Sequence, residues 1–134
     1  MKLIICLDER KGMLFDRRRQ SRDRLLIKDI ESHIGGALLF ISAYSEPLFC
    51  KSQIHYRVTE NPLLAAGETE YCFLEAPLPA SKPDALRELV LYNWNRHYPA
   101  DVFFDMDLQG MQLAEITDFV GSSHEKITKE VWKI

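Results

Sequence analysis

Residues that could recognise an anionic ligand are concentrated in the first quarter of the chain. Eight of the seventeen basic residues lie between Arg10 and Lys28, and the carboxylate of Asp23 lies among them. Arginine binds carboxylates and phosphates through two parallel hydrogen bonds, and a carboxylate can hold an amidine-like group in the same way. The segment therefore predicts either a site for a small anion or a solvated basic loop. Asp23 is either a pocket carboxylate or a first-turn acid favoured by the helix dipole.

Charge is divided unevenly along the chain. Between Glu60 and Asp118 there are eleven acidic and three basic residues, whereas the whole chain has a formal charge of −3. This polarity suits an anion-binding edge, one lobe that complements another, or self-association. We do not expect nucleic acid as a partner, because the domain is not basic overall and Phe15 is the only aromatic residue in the basic segment.

Patterns for hydrolytic, metal and nucleotide chemistry are incomplete. The run 122–125 contains serine, histidine and glutamate, but consecutive residues of one turn cannot converge on one reacting centre, so we predict a turn or a helix cap. No dinucleotide or phosphate-binding glycine motif is present. The histidines are isolated from one another: His33, His55, His97 and His124. We therefore expect no metal and no cofactor.

Buried strands and short helices must position these residues. Three continuous apolar runs predict fully buried strands: Leu3–Leu7, Ala37–Ile41 and Tyr71–Leu74. Residues 8–20 are polar apart from a short apolar anchor, and we predict a long loop. A helix from Asp23 to about His33 follows, with Ser21 as its N-cap and Gly35 at its end. A short helical turn after Ser45 is expected to reach Phe49.

The second half of the chain predicts mainly strands. Leu89–Trp94 and Met111–Phe119 are expected to be two of them. The tail is ambiguous, because Ser122 and Glu125 have the spacing of a capping box while Ile127–Val131 alternates as a strand does. We predict a strand. The fold class is thus a single α/β domain over residues 1–134, with a mixed central sheet and few short helices.

Composition agrees with one folded unit. The chain has 134 residues, of which 46% are hydrophobic, and its longest apolar runs are far too short to cross a bilayer. No signal peptide precedes the first strand, so we expect a cytoplasmic protein without a membrane partner. Three cysteines, Cys6, Cys50 and Cys72, lie in apolar runs and are predicted to be buried.

The order of these segments resembles the dihydrofolate reductase fold. Leu3–Asp8, Gly12-Met13 and the helix that opens at Arg22 resemble the family's first strand, active-site loop and first helix. The resemblance places Asp23 where the family carries the carboxylate that holds the pterin ring. The closing region 111–132 is similar to the family's final hairpin. The resemblance therefore implies a dihydrofolate reductase-like fold, in a small bacterial relative.

Three departures from the family concern its nucleotide site. The family receives phosphates at a Gly-Arg-x-Thr turn and at a Gly-Gly turn, where glycine lets the backbone come close. Here the first turn is Ser42-Ala43-Tyr44-Ser45 and the second is Glu75-Ala76, which places a carboxylate where a pyrophosphate would lie. The segment 51–70, where the family holds the adenine, is also short. The resemblance thus implies that the family's fold is retained while its nucleotide-binding turns are degenerate.

These observations predict a non-catalytic binding or interaction module on a reductase-like scaffold. The alternative is an NADPH-dependent reductase of a pterin-like or other small heterocyclic substrate. A ligand is expected at the carboxyl ends of the strands, where loops meet. The predicted cleft suits a small, partly apolar anion and comprises Asp23, Met13, Leu14, Ser42, Ser45 and Phe49. As an exposed first-turn acid, Asp23 is expected to contribute under ~1 kcal/mol to folding.

Overall fold

A seven-stranded mixed sheet forms the centre of the molecule. The computed structural model describes residues 1–134. In chain order the strands are β1 (Lys2–Leu7), β2 (Gly12–Phe15), β3 (Arg18–Arg19), β4 (Leu39–Ile41), β5 (Tyr56–Val58), β6 (Tyr71–Phe73), β7 (Glu88–Asn93), β8 (Val102–Phe103), β9 (Gln112–Phe119) and β10 (Ile127–Lys133). The large sheet has the order β5-β4-β6-β1-β7-β10-β9. Its first five strands are parallel, while β10 runs antiparallel to both β7 and β9.

The central strand β1 shows why the apolar runs become parallel strands. Alternate side chains of a strand point to opposite faces, and both faces of this sheet are covered. Ile4 therefore packs into one core with the first helix, while Leu3 and Ile5 pack into a second core on the other face. The three predicted buried strands lie in this one sheet, and the mixed α/β prediction is confirmed.

Three short helices flank the sheet: α1 (Arg24–Ile34), α2 (Glu46–Phe49) and α3 (Pro62–Ala65), with a 3-10 turn at Ala43–Ser45. The N-cap of α1 is Asp23, whose carboxylate accepts from the backbone N–H groups of Leu25 and Leu26. The prediction that Ser21 is the cap was wrong. Gly35, with φ 58°, ends the helix in a conformation that glycine adopts readily.

The segment 8–20 is a hairpin, not the predicted long loop. Strands β2 and β3 pair antiparallel, and β8 completes a small three-stranded sheet in the order β3-β2-β8. The two-residue turn consists of Asp16 and Arg17, both with positive φ. Such turns usually carry glycine or asparagine, so the sequence lacked the expected signal. Met13 and Leu14 are buried in the second core and anchor the hairpin there.

The C-terminal half forms the predicted strands. β9 and β10 make an antiparallel hairpin, which confirms a strand at the tail. Of the three cysteines, Cys72 is buried, Cys6 is half-buried and Cys50 is exposed, so the prediction of burial was wrong for Cys50. Cys50 directly follows α2, where its thiol faces outward and donates to the carbonyl of Pro47. None of the helices has the length and apolarity needed to span a bilayer.

Candidate functional site

The carboxylate of Asp23 joins the start of α1 to the loop between β9 and β10. Its Oδ1 accepts from the backbone N–H of Leu25 at 2.9 Å and of Ser122 at 2.9 Å. Its Oδ2 accepts from the backbone N–H of Ser123 at 2.9 Å and from His124 Nδ1 at 2.9 Å. The two serine hydroxyls donate to the same carboxylate. Asp23 is buried, and its acceptor sites are filled by protein donors.

These donors determine the charge of Asp23 and the tautomer of His124. Burial by itself raises the pKa of Asp23, but the hydrogen bonds from Ser122, Ser123 and His124 outweigh it and hold the pKa well below its ordinary value. An ionised carboxylate can only accept, so Nδ1 of His124 carries the proton. Its Nε2 then faces the hydroxyls of Ser21 at 3.1 Å and Tyr98 at 3.0 Å.

A hydroxyl, an imidazole and a carboxylate in this order also occur in enzymes of acyl transfer. Here the His124 ring is buried and stacks on Trp94, with 4.5 Å between ring centroids. The cavity beside Ser21 and Asp23 has a volume of about 20 Å³. That space holds about one water molecule and excludes a substrate carbonyl. The arrangement is therefore a structural clamp between two distant segments.

Close to the clamp, Glu75 is held by an arginine and a serine. Arg19 donates from Nε to Oε2 at 2.7 Å and from Nη2 to Oε1 at 3.0 Å, while Ser45 Oγ donates to Oε1 at 2.8 Å. The Arg19 guanidinium also lies over the ring of Tyr44 at 4.3 Å. Burial alone lowers the pKa of Arg19, but the bond to Glu75 outweighs it and raises the pKa. The carboxylate of Glu75, at the second turn, is thus neutralised by the guanidinium of Arg19.

Only some of the predicted cleft residues meet. Met13 and Asp23 line the same small cavity, together with Arg19 and Glu75. Ser45 does not line the cavity but donates to Glu75, which does. The side chain of Ser45 makes no capping hydrogen bond to α2. Ser42 Oγ lies 3.4 Å from Ser45 Oγ. Leu14 and Phe49 are buried in the two cores and line neither this cavity nor the groove described next.

A larger groove lies between α1 and α2 and is called here the basic groove. Its volume is about 520 Å³. Four cationic side chains line it: Arg22, Arg24, Lys28 and Lys51. Ile27 and Leu48 supply apolar surface, and Ser122 and Ser123 close one side. The carboxylate of Glu31 also lies here, 4.0 Å from Lys28 Nζ, and its Oε2 is buried without a hydrogen-bond donor.

The basic groove was found only in part from the sequence. Arg22, Arg24 and Lys28 belong to the basic segment, but Lys51 lies in a different part of the chain, and no local pattern connects it to the others. Ser122 and Ser123 approach because Asp23 binds their backbone N–H groups. No three histidine, cysteine, aspartate or glutamate side chains are arranged to hold a metal ion.

Asp8 organises the hairpin that borders the small cavity. Its carboxylate is buried and accepts from the backbone N–H of Arg10 at 2.8 Å, Gly12 at 2.7 Å and Tyr98 at 3.2 Å. Burial raises the pKa of Asp8, but these hydrogen bonds outweigh it and lower the pKa. A Cβ on Gly12 would lie 2.6 Å from the Cβ of Ala100, so a side chain does not fit there.

Comparison with solved structures supports the fold. The chain is similar to a dihydrofolate reductase from Enterococcus faecalis in complex with NADP(H) and RAB-propyl, with a TM-score of 0.65 at 11% sequence identity. The match covers 98% of this chain and 94% of that chain. No family model matches the sequence, and no curated protein does. The fold is therefore dihydrofolate reductase-like, as the order of the segments predicted, and at this identity the likeness shows the fold alone.

Proposed function

We propose that the protein is a non-catalytic binding module on a reductase-like scaffold, and that it takes a small, partly apolar anion in the basic groove. The observation that carries this proposal is that four cations line the groove against two carboxylates, those of Glu31 and of Asp23, and that protein donors already bind the carboxylate of Asp23. The volume of about 520 Å³ lies in the range of small-molecule sites.

The chemistry of the basic groove defines the ligand class. Arg22 and Arg24 can hold a carboxylate or phosphate through paired hydrogen bonds, and Lys28 and Lys51 add point charges. Ile27 and Leu48 offer apolar surface to a ring or an alkyl chain. An anion with an apolar body thus satisfies both parts of the lining.

The state of Glu75 argues against the alternative, an NADPH-dependent reductase of a pterin-like or other small heterocyclic substrate. The E. faecalis enzyme of the same fold was solved with NADP(H). Here the carboxylate of Glu75 takes up the hydrogen bonds of Arg19 and Ser45. A pyrophosphate at this turn would meet a like charge and would have to compete for the same donors.

Calorimetry with a matched pair of probes tests the groove. We expect naphthoate to bind and naphthamide, its uncharged counterpart, to bind at least tenfold more weakly. The double substitution Lys28→Glu and Lys51→Glu should raise the Kd of naphthoate at least tenfold, because each exposed ion pair contributes up to about 1 kcal/mol and reversal adds repulsion. Lys126→Glu, an exposed lysine outside the basic groove, is the control and should leave the Kd unchanged.

A titration with NADPH, followed by nicotinamide fluorescence, separates the two functions. In the Lys28→Glu, Lys51→Glu variant, whose basic groove no longer favours phosphates, we expect no saturable binding below a Kd of about 1 mM, which corresponds to roughly −4 kcal/mol. Saturable binding in that range would favour the reductase. If naphthoate and naphthamide bind equally, the basic groove is not an anion site and the proposed function is wrong.

A further inference from the structure

A second polar pocket lies at the amino ends of the parallel strands, away from the clamp, and is called here the lower pocket. Its volume is about 380 Å³. It is formed by the amino ends of β1, β6 and β7, the carboxyl end of β10 and the last turn of α1. Six residues line it: Lys2, His33, Tyr71, Arg87, Glu88 and Lys133. None of them lines the basic groove or the small cavity beside Asp23, so the lower pocket is a separate candidate site.

The strand register explains why four of these side chains meet. Lys2 pairs with Tyr71 on one side and with Glu88 on the other. Glu88 also pairs with Lys133. Cross-strand partners point to the same face of a sheet, so the four side chains form one row. The row lies on the face that α1 covers, because Tyr71 belongs to the core on that face, and His33 approaches it from the end of α1.

The buried carboxylate of Glu88 positions the two rings of the lower pocket. Its Oε2 accepts from the hydroxyl of Tyr71 at 3.1 Å, and its Oε1 lies 3.4 Å from Nε2 of His33. Burial by itself raises the pKa of Glu88, but the proximity of His33 and the bond from Tyr71 outweigh it and lower the pKa. Nε2 of His33 is buried and lacks a hydrogen bond of good geometry. Glu88 is therefore ionised, and its oxygens face these two rings.

Three cations of the lower pocket have no partner of opposite charge in the protein. None of Lys2, Arg87 and Lys133 takes part in the six ion pairs of the molecule. Lys2 Nζ instead lies over the ring of Tyr71, 5.0 Å from its centroid. Three positive charges thus share the lower pocket with one carboxylate, which leaves an excess of two before His33 is counted.

We propose that the lower pocket binds the phosphate group of a small polar molecule. A phosphate dianion matches the excess of two positive charges. Arg87 can bind two phosphate oxygens in parallel, while Lys2 and Lys133 act as point charges. These two lysines lie on the strands that flank β7, so their Cα atoms are about 10 Å apart and their side chains can approach an anion from both sides. As an imidazolium, His33 presents a further N–H donor.

The lining distinguishes this ligand from that of the basic groove. The basic groove offers Ile27 and Leu48 to an apolar body. In the lower pocket, Tyr71 is the one apolar residue, and its hydroxyl is bonded to Glu88. The volume of about 380 Å³ leaves space beside a phosphate group for a polar body. The lower pocket therefore adds a second site and does not depend on the proposed function.

An NMR titration of the ¹⁵N-labelled chain with inorganic phosphate tests the lower pocket. The background is the Lys28→Glu, Lys51→Glu variant, in which the basic groove no longer attracts phosphate. We expect the amide signals of Lys2, Glu88 and Lys133 to shift together and to saturate with a Kd of about 2–10 mM, because exposed charges hold a small anion weakly. Sodium chloride at the same ionic strength is the reference, since screening acts on all exposed charges.

Two matched double variants locate the bound phosphate in the same background. Arg87→Gln with Lys133→Gln removes two of the three cations and should raise the Kd at least about fivefold. Arg57→Gln with Lys126→Gln removes the same charge outside the lower pocket and should leave the Kd within about twofold. All four side chains are exposed, so both melting temperatures should match that of the background, which separates lost binding from lost folding.

Two results would overturn the proposal. One is the absence of a saturable shift at these amides up to about 50 mM phosphate, well above the expected Kd. The other is an equal change of Kd in the two double variants, because the phosphate would then respond to the net charge of the chain and not to the lower pocket. Neither result concerns the binding of naphthoate in the basic groove, so the failure of this proposal is distinct from that of the proposed function.

Discussion

Replacement of Asp23 by asparagine is expected to destabilise the protein strongly. The carboxylate caps α1 and receives hydrogen bonds from the β9–β10 loop, including Nδ1 of His124 at 2.9 Å. A helix cap contributes about 1 kcal/mol. Each buried donor that loses its bond to the carboxylate is left unsatisfied at a cost of about 1–3 kcal/mol, and several such donors converge on Asp23. In addition, the NH₂ group of the asparagine side chain is a hydrogen-bond donor and would face the donors that now bind the carboxylate. We expect a total loss of about 3–5 kcal/mol.

Urea unfolding, followed by the fluorescence of Trp94 and Trp132, measures this loss. Trp94 stacks on His124, so its emission reports on the clamp. With an m-value of about 1.5 kcal/mol per molar urea, the midpoint should fall by about 2 M or more. Asp105→Asn, a substitution at an exposed aspartate, is the control and should stay within about 0.5 kcal/mol. A loss below about 1 kcal/mol in Asp23→Asn would refute the clamp and restore the interpretation of Asp23 as an ordinary first-turn acid.

The pH dependence of the free energy of unfolding tests the role of Asp23 independently. The folded-state pKa of Asp23 lies below its unfolded value of about 3.9, so its stabilising contribution is present above that pH and is lost as the pH falls through the folded pKa. The wild-type chain should therefore lose stability steeply below about pH 4. Asp23→Asn should show a shallower slope there, in unfolding curves recorded between about pH 2 and 7.

Two further predictions concern the hairpin and the second turn. Gly12→Ala should destabilise the protein by about 1–3 kcal/mol, because its Cβ would approach Ala100 Cβ to 2.6 Å, whereas Gly36→Ala, with open space around it, should stay within about 0.5 kcal/mol in the same urea assay. Glu75→Ala should free Arg19 for an external anion, so sulfate should raise the melting temperature of the variant more than that of the wild-type chain. Equal increments would contradict this role, since sulfate stabilises proteins in general.

The strands of the sheet followed from local composition. A parallel strand covered on both faces needs a continuous apolar run, so Leu3–Leu7 and Tyr71–Leu74 could be recognised without knowledge of their neighbours. The C-terminal strand was also predicted, although its capping-box spacing suited a helix. The hairpin at β2 and β3 was missed, because Asp16 and Arg17 adopt positive φ without the glycine that usually indicates such a turn.

The site depended on tertiary structure to a greater extent. Ser21 and Asp23 are both good N-cap residues, and the local pattern could not choose between them. Asp23 is the N-cap because Ser122, Ser123 and His124, about a hundred residues further along the chain, donate hydrogen bonds to its carboxylate. Those same serines and histidine looked like an isolated turn in the sequence.

Charge shows the same division between sequence and fold. The sequence by itself determined that basic residues are concentrated between Arg10 and Lys28, whereas the absence of a glycine turn at Glu75 was inferred from the resemblance to the reductase family. Only the tertiary structure decided that Arg19 neutralises Glu75 and that Lys51 joins the basic groove. The physical reason is range: burial periodicity and turn propensity act within a few residues, whereas hydrogen bonds and ion pairs form between side chains that only the completed fold brings within about 3 Å.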